Sequence, residues 1–198
     1  LYQHDVINNQ SGFTLAAILL FGKDSTILSA LPHHKTDAIL RRVNLDRYDD
    51  RDTVKTNLIE SYERLMAFIA KHLPDPFYQD ESANRISLRD KIFREVVANI
   101  LIHREYSNPY PAKIIIERNQ VVAENSNRPH FHGIINPANF APFPKNPIIS
   151  AFFREIGRAE ELGSGVRNLF RYTKAYSGGN EPSLIEEDIF KIIVPIDE

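Results

Sequence analysis

The chain has 198 residues, of which 42% are hydrophobic and 25% charged, and its formal net charge is −2. That balance suits a globular protein with a real core and argues against a nucleic-acid footprint spread over the whole chain, though not against a local basic patch. With no cysteine in the chain, disulfides and zinc–thiolate sites are excluded, and the residue usage fits a cytoplasmic protein.

No apolar run reaches membrane-spanning length, so no membrane partner is expected. The longest, residues 15–21, reads as a short buried element, helix or strand, closed by Gly22. No basic segment precedes it, so it makes a poor signal peptide. The first residue is Leu1 rather than Met, and the chain reads as a piece of a longer protein cut near a domain junction. Residues 38–43 read as a strand and residues 48–52 as a polar break. Residues 53–72 carry Leu58, Tyr62, Leu65, Met66 and Ile69 at helical spacing, and Leu73-Pro74-Asp75-Pro76 stops that helix.

Residues 88–103 form the second strong helix, with Leu88, Ile92, Phe93, Val96, Val97, Ile100 and Leu101 as its apolar stripe. Asn108-Pro109-Tyr110-Pro111 ends it. Residues 113–117 and 121–124 are β-rich runs joined by Arg118-Asn119-Gln120, a hairpin pattern. A loop rich in Pro, Asn, Phe and His spans 125–145, long enough to suggest a functional role. Pro147 suits the first turn of a helix to about Glu155. Gly163-Ser164-Gly165 opens a further helix over 166–176, closed by Ser177-Gly178-Gly179-Asn180. Residues 183–187 and 189–196 pair as a last hairpin. Helices alternating with antiparallel hairpins predict an α+β two-layer sandwich, a mixed and mostly antiparallel sheet with helices on one face. Residues 1–80 read as an N-terminal α/β segment leading from an upstream domain, and 81–198 as the second part of one compact unit.

Two features carry chemistry. Glu95, Asn99 and His103 follow one another at steps of four, and each step turns a helix about 40° beyond a full circle. They therefore share one narrow stripe beside the apolar face. A carboxylate there can orient or deprotonate a water, an amide oxygen can ligate magnesium, and an imidazole can support phosphates or metal-bound waters. The spacing alone equally suits a helix edge whose polar groups meet solvent. The second feature is Gly163-Ser164-Gly165, whose backbone N–H groups at a helix start can approach an anion or can simply make a turn.

Taken as a set, the motifs resemble a known family. Glu95-Val-Val-Ala-Asn99-Ile-Leu-Ile-His103-Arg104-Glu105-Tyr106 is similar to the pattern Glu-Ala-x-x-Asn-Ala-x-x-His-Arg-Asp-Tyr. Leu19-Leu20-Phe21-Gly22-Lys23, Lys145-Asn146-Pro147 and Glu160-Glu161-Leu162-Gly163-Ser164-Gly165-Val166 match in the same order. These runs resemble the C-terminal part of bacterial RecG-related helicases or transcriptional regulators, within the GHKL nucleotide-binding fold. The resemblance implies a Bergerat-type sandwich that binds ATP and Mg2+, with 81–198 as its ATPase domain. It implies Glu95 as the candidate base, Asn99 as the magnesium ligand and His103 as a phosphate neighbour. It also implies Gly163, Ser164 and Gly165 as a phosphate turn, and the loop over 125–145 as part of a lid. DNA would be met only through domains outside this chain, such as an AlbA-type domain or a winged helix, and a homo-oligomer is a further expectation.

One segment departs from the pattern. ATP-binding members carry Asp-x-Gly-x-Gly after a strand, whereas this chain has Glu124-Asn125-Ser126-Asn127. Glu124 can accept from an adenine amino group or can end a strand on the solvent side, and Asn125 follows it without the glycine that allows close approach. A degenerate, ligand-free structural or dimerisation module is therefore a second expectation. A motor reading fails on sequence: Gly22-Lys23 is followed by Asp24, and Ala17 stands where a P-loop needs its first glycine. His130 with His132, His33 with His34, and the arginines at 41, 42, 154, 158, 167 and 171 read as loop histidines and solvated faces.

Overall fold

In a computed structural model of the chain, residues 2–5, 10–43, 47–80, 82–138, 144–160 and 164–197 are described. A hairpin of β1 (Tyr2–Asp5) and β2 (Gln10–Phe13) leads into α1 (Leu15–Phe21) and α2 (Asp24–Ala30). The open choice at 15–21 resolves as a helix because the Thr14 hydroxyl caps it, accepting from the Ala17 N–H at 3.2 Å.

Next come β3 (Thr36–Leu40), β4 (Asp50–Val54), α3 (Leu58–His72) and α4 (Leu88–Ile102). After them run β5 (Ala112–Ile116), β6 (Gln120–Ser126), β7 (Gly133–Ile134), α5 (Pro147–Glu155), α6 (Ser164–Tyr176), β8 (Ser183–Glu186) and β9 (Ile189–Pro195). Seven strands form one sheet in the order β4-β3-β5-β6-β9-β8-β7. Among the described strands only the β3–β5 pair is parallel, and its crossover carries β4, α3 and α4. The sheet runs through both the 1–80 and the 81–198 segments.

Alternation along the strands sets the layers. Ala112, Ile114 and Ile116 of β5, and Phe190, Ile192 and Val194 of β9, are buried toward the helices, while their neighbours are half-exposed. One face thus packs under α3 and α4 and the other stays open, the α+β two-layer sandwich the pattern predicted. α4 is the core's axis: Ile92, Phe93, Val96, Val97 and Ile100 are all fully buried. The Ser87 hydroxyl starts it by accepting from the Asp90 N–H at 3.0 Å, and among the described residues no helix is long and apolar enough to cross a membrane.

The structure corrects several boundaries. The strand expected at 38–43 begins at Thr36 and stops at Leu40. The polar break at 48–52 is instead largely β4, an edge strand held by charge. Asp52 takes Arg64 at 2.6 Å, Asp50 takes Lys71 and His72 at 2.7 Å, and Arg51 reaches Asp37 of β3 at 2.8 Å. Charged side chains are what an edge strand tolerates. The following helix begins at Leu58, not residue 53, because Asn57 caps it by accepting from the Glu60 N–H at 3.0 Å. The loop over 125–145 is shorter than expected, since β6 continues through Asn125 and Ser126 and β7 lies within it.

Candidate functional site

α4 and α6 pack side by side, and the crossing brings the two sequence motifs together. Gly165, in the first turn of α6, lies directly on the Glu95 side chain, so that a Cβ built on it would overlap the carboxyl group. Asn99, one turn along α4, donates from Nδ2 to Glu95 Oε1 at 3.4 Å. That bond leaves the Asn99 amide oxygen for another partner, such as a hard cation. Burial beneath α6 raises the Glu95 carboxyl to about 7; the Asn99 bond opposes this weakly and the charge of Glu160 adds to it. Glu95 is therefore a carboxylate poised to exchange a proton near neutrality.

His103 is farther away. It is the C-cap of α4, half-buried, its N–H bonded to Asn99 O at 2.9 Å, and two turns put it about 12 Å along the axis from Glu95. Ser164 opens α6 beside Gly165. Gly163 lies outside the described residues.

Glu124 and Asn125 do not join this group as one unit. Successive strand residues point to opposite faces. Asn125 is fully buried on the helix side, donating from Nδ2 to Ile100 O at 3.1 Å; its Oδ1 has no hydrogen-bond partner among the described residues. Glu124 points to the open face. It accepts from the Tyr110 hydroxyl at 2.7 Å and from Lys113 Nζ at 3.0 Å, with Lys191 Nζ at 3.8 Å. Burial opposes its charge most, but these donors outweigh it and hold the carboxyl below the usual range. Of the two alternatives open for Glu124, its partners put the side chain on the open face, with the sheet between it and Glu95.

Much of the remaining motif set is structural. Asn146 donates from Nδ2 to both Ile102 O and Arg104 O at 2.8 Å, tying α5 to the end of α4. Arg104 is 1% exposed and donates to Lys35 O at 2.8 Å and Tyr110 O at 3.3 Å. The His33 and His34 rings bond the carbonyls of Tyr106 and Thr56, and the His130 N–H bonds Glu186 Oε1 at 3.0 Å. Among the described residues no group of three or more metal-ligating side chains assembles.

What sequence reasoning missed is the cleft that Glu95 borders. It opens on the Lys91 side, away from Asn99, and is lined by Lys91, Arg94, Glu95, Arg158, Glu160 and Asn168 with Ala159. The cleft is small and continuous with open solvent. Lys91 and Arg94 were legible as neighbours of Glu95 on the helix; Arg158, Glu160 and Asn168 arrive through the α5–α6 connection, which no spacing rule places.

No family model and no curated protein sequence matches the chain. Among solved structures, the DIP2311 protein from Corynebacterium diphtheriae has a similar fold, with a TM-score of 0.68 over 92% of this chain. The two are 15% identical, and the chain spans 37% of that protein's length, so the likeness is one of fold.

Proposed function

We propose that the chain is a nucleotide-responsive regulatory domain of GHKL type from a RecG-related transcriptional regulator, taking ATP with Mg2+ at the α4–α6 seam. One observation carries the reading: Gly165 rests on Glu95, with Asn99 bonded to the same carboxyl. The phosphate and metal end of such a ligand fits the chemistry present. Asn99 Oδ1 offers oxygen to magnesium, and the first turn of α6 offers backbone N–H groups to an anion. Glu95, near neutrality in its proton affinity, would hold a water and take its proton as that water attacks the terminal phosphorus of Mg-ATP and ADP leaves. Slow turnover is consistent with that arrangement. The purine end does not fit: Glu124 is on the other face and Asn125 is sealed. No step is assigned there, and DNA contact belongs to domains outside this chain.

A second reading is favoured by the Glu124 cluster: a ligand-free structural or dimerisation module that kept the fold. Calorimetry with Mg-ATP separates the two. The first reading expects saturable binding that weakens at least about tenfold in Asn99→Ala. Absence of heat and of any thermal shift at millimolar Mg-ATP, or equal binding by Asn99→Ala, overturns it and leaves the structural module.

A further inference from the structure

The open face of the sheet has an order that the nucleotide reading does not use. A solvated face of an antiparallel sheet is expected to be polar. Here Ile115 of β5, Val122 of β6, Ile185 of β8 and Ile193 of β9 lie half-exposed on it, and Ile134 of β7 is 73% exposed.

Strand register sorts this face into rows, because residues directly opposite one another in a sheet share a side. Asp37, Lys113, Glu124 and Lys191 stand in one row across β3, β5, β6 and β9. Ile39, Ile115, Val122 and Ile193 form a parallel apolar row. The charged row alternates negative, positive, negative, positive, so read backwards it is its own opposite. Within one chain Glu124 meets Lys113 at 3.0 Å and Lys191 at 3.8 Å, and Asp37 meets Arg51 at 2.8 Å and Lys35 at 3.3 Å. The Lys191 side chain, 42% exposed, has only that long contact among the described residues.

We propose that this face is an interface between two copies of the chain, packed sheet to sheet about a twofold axis that runs along the strands between β5 and β6. That axis reverses the strand order and lays each row over itself. Lys113 then faces Glu124 of the second copy and Lys191 faces its Asp37, while Ile115 faces its Val122 and Ile193 faces its Ile39. Arg51, at the β4 edge, falls over Ser183 of the second copy, so no cation is set on a cation. An axis across the strands would instead set like charges, or charges and isoleucines, against each other. The sign pattern therefore selects both the occupant and the direction. Two twisted sheets about 10 Å apart pack in this aligned way. The apolar row supplies the driving force and the charged row the register. A single sheet face is a modest area, so the pair is expected to be micromolar. The interface is independent of the nucleotide reading, because the α4–α6 seam lies on the other side of the sheet.

The test is analytical ultracentrifugation of the chain from about 1 µM to about 1 mM. A monomer–dimer equilibrium in that range is expected. Val122→Asp and Lys191→Glu should each weaken it at least about tenfold, with the fold checked by circular dichroism. Lys191→Glu, at the more exposed position, keeps the test valid if Val122→Asp does not fold. Ile148→Asp is the control: Ile148 is 48% exposed on α5, away from the sheet, and its loss should leave the dimer intact. The chain has no cysteine, so a single thiol from Val122→Cys, beside the axis, should be joined to its mate by a short bismaleimide, and one from Ile148→Cys should not. A monomer throughout overturns the interface. So does a dimer that survives both Val122→Asp and Lys191→Glu, or one lost equally in Ile148→Asp, which would place the contact on α5.

Discussion

Glu95 on α4 and Glu124 on β6 are both withdrawn from water, on opposite sides of the sheet, and their surroundings treat them in opposite ways. Glu124 meets a tyrosine hydroxyl and two lysines, so its charge is held and its carboxyl falls below the usual range. Glu95 meets one long amide bond and a glycine, so its charge is disfavoured and its carboxyl rises to about 7. A satisfied carboxylate holds strands together; an unsatisfied one beside a cleft is where a protein keeps a reactive group.

The largest expected effect comes from breaking the satisfied side. Glu124→Ala leaves Lys113 and Tyr110 without their acceptor and should cost about 2–4 kcal/mol in urea unfolding, with Mg-ATP binding unchanged. A loss of ligand binding without loss of stability would reverse the roles assigned to the two glutamates.

Glu95→Gln should do the contrary. Because folding raises the carboxyl, the native state binds more protons between its unfolded range and about 7, and stability falls as pH rises across that window. The amide removes that penalty. The variant should gain about 2 kcal/mol, and at most about 3, above pH 7, and nothing below about pH 4, as read from unfolding at both pH values. Equal stabilities at pH 8 would contradict it. Gly165→Ala has the smallest effect on stability, within about 1 kcal/mol, because the atoms it strikes are the end of a flexible side chain. Its effect appears in titration: the displaced carboxyl moves toward water and toward the ordinary carboxylate range.

The sequence rendered α4 well, since an apolar stripe at helical spacing is a local property and each of its predicted stripe residues is buried. It also placed Glu95 and Asn99 on one edge. β4 was hidden because its acids make sense only beside Arg64, Lys71 and His72 of α3, which are tertiary partners. α2 was hidden because it is short and only Ile27 is buried. The face that Glu124 takes stayed open in the sequence, because one residue along a strand decides the face. The meeting of Gly165 with Glu95 joins residues far apart in the chain, and neither motif alone contains it. The basic rim of the cleft depends on how the α5–α6 connection folds back over α4.

The measurement that bears most directly on the account is the titration of the Glu95 side-chain carboxyl by carbon NMR in the wild-type protein, with Glu95→Gln to assign the signal. A midpoint near 7 is expected, falling on Gly165→Ala. A midpoint near 4.5, unmoved by Gly165→Ala, would mean that α6 does not shelter this carboxyl and that the seam is an ordinary solvated helix edge.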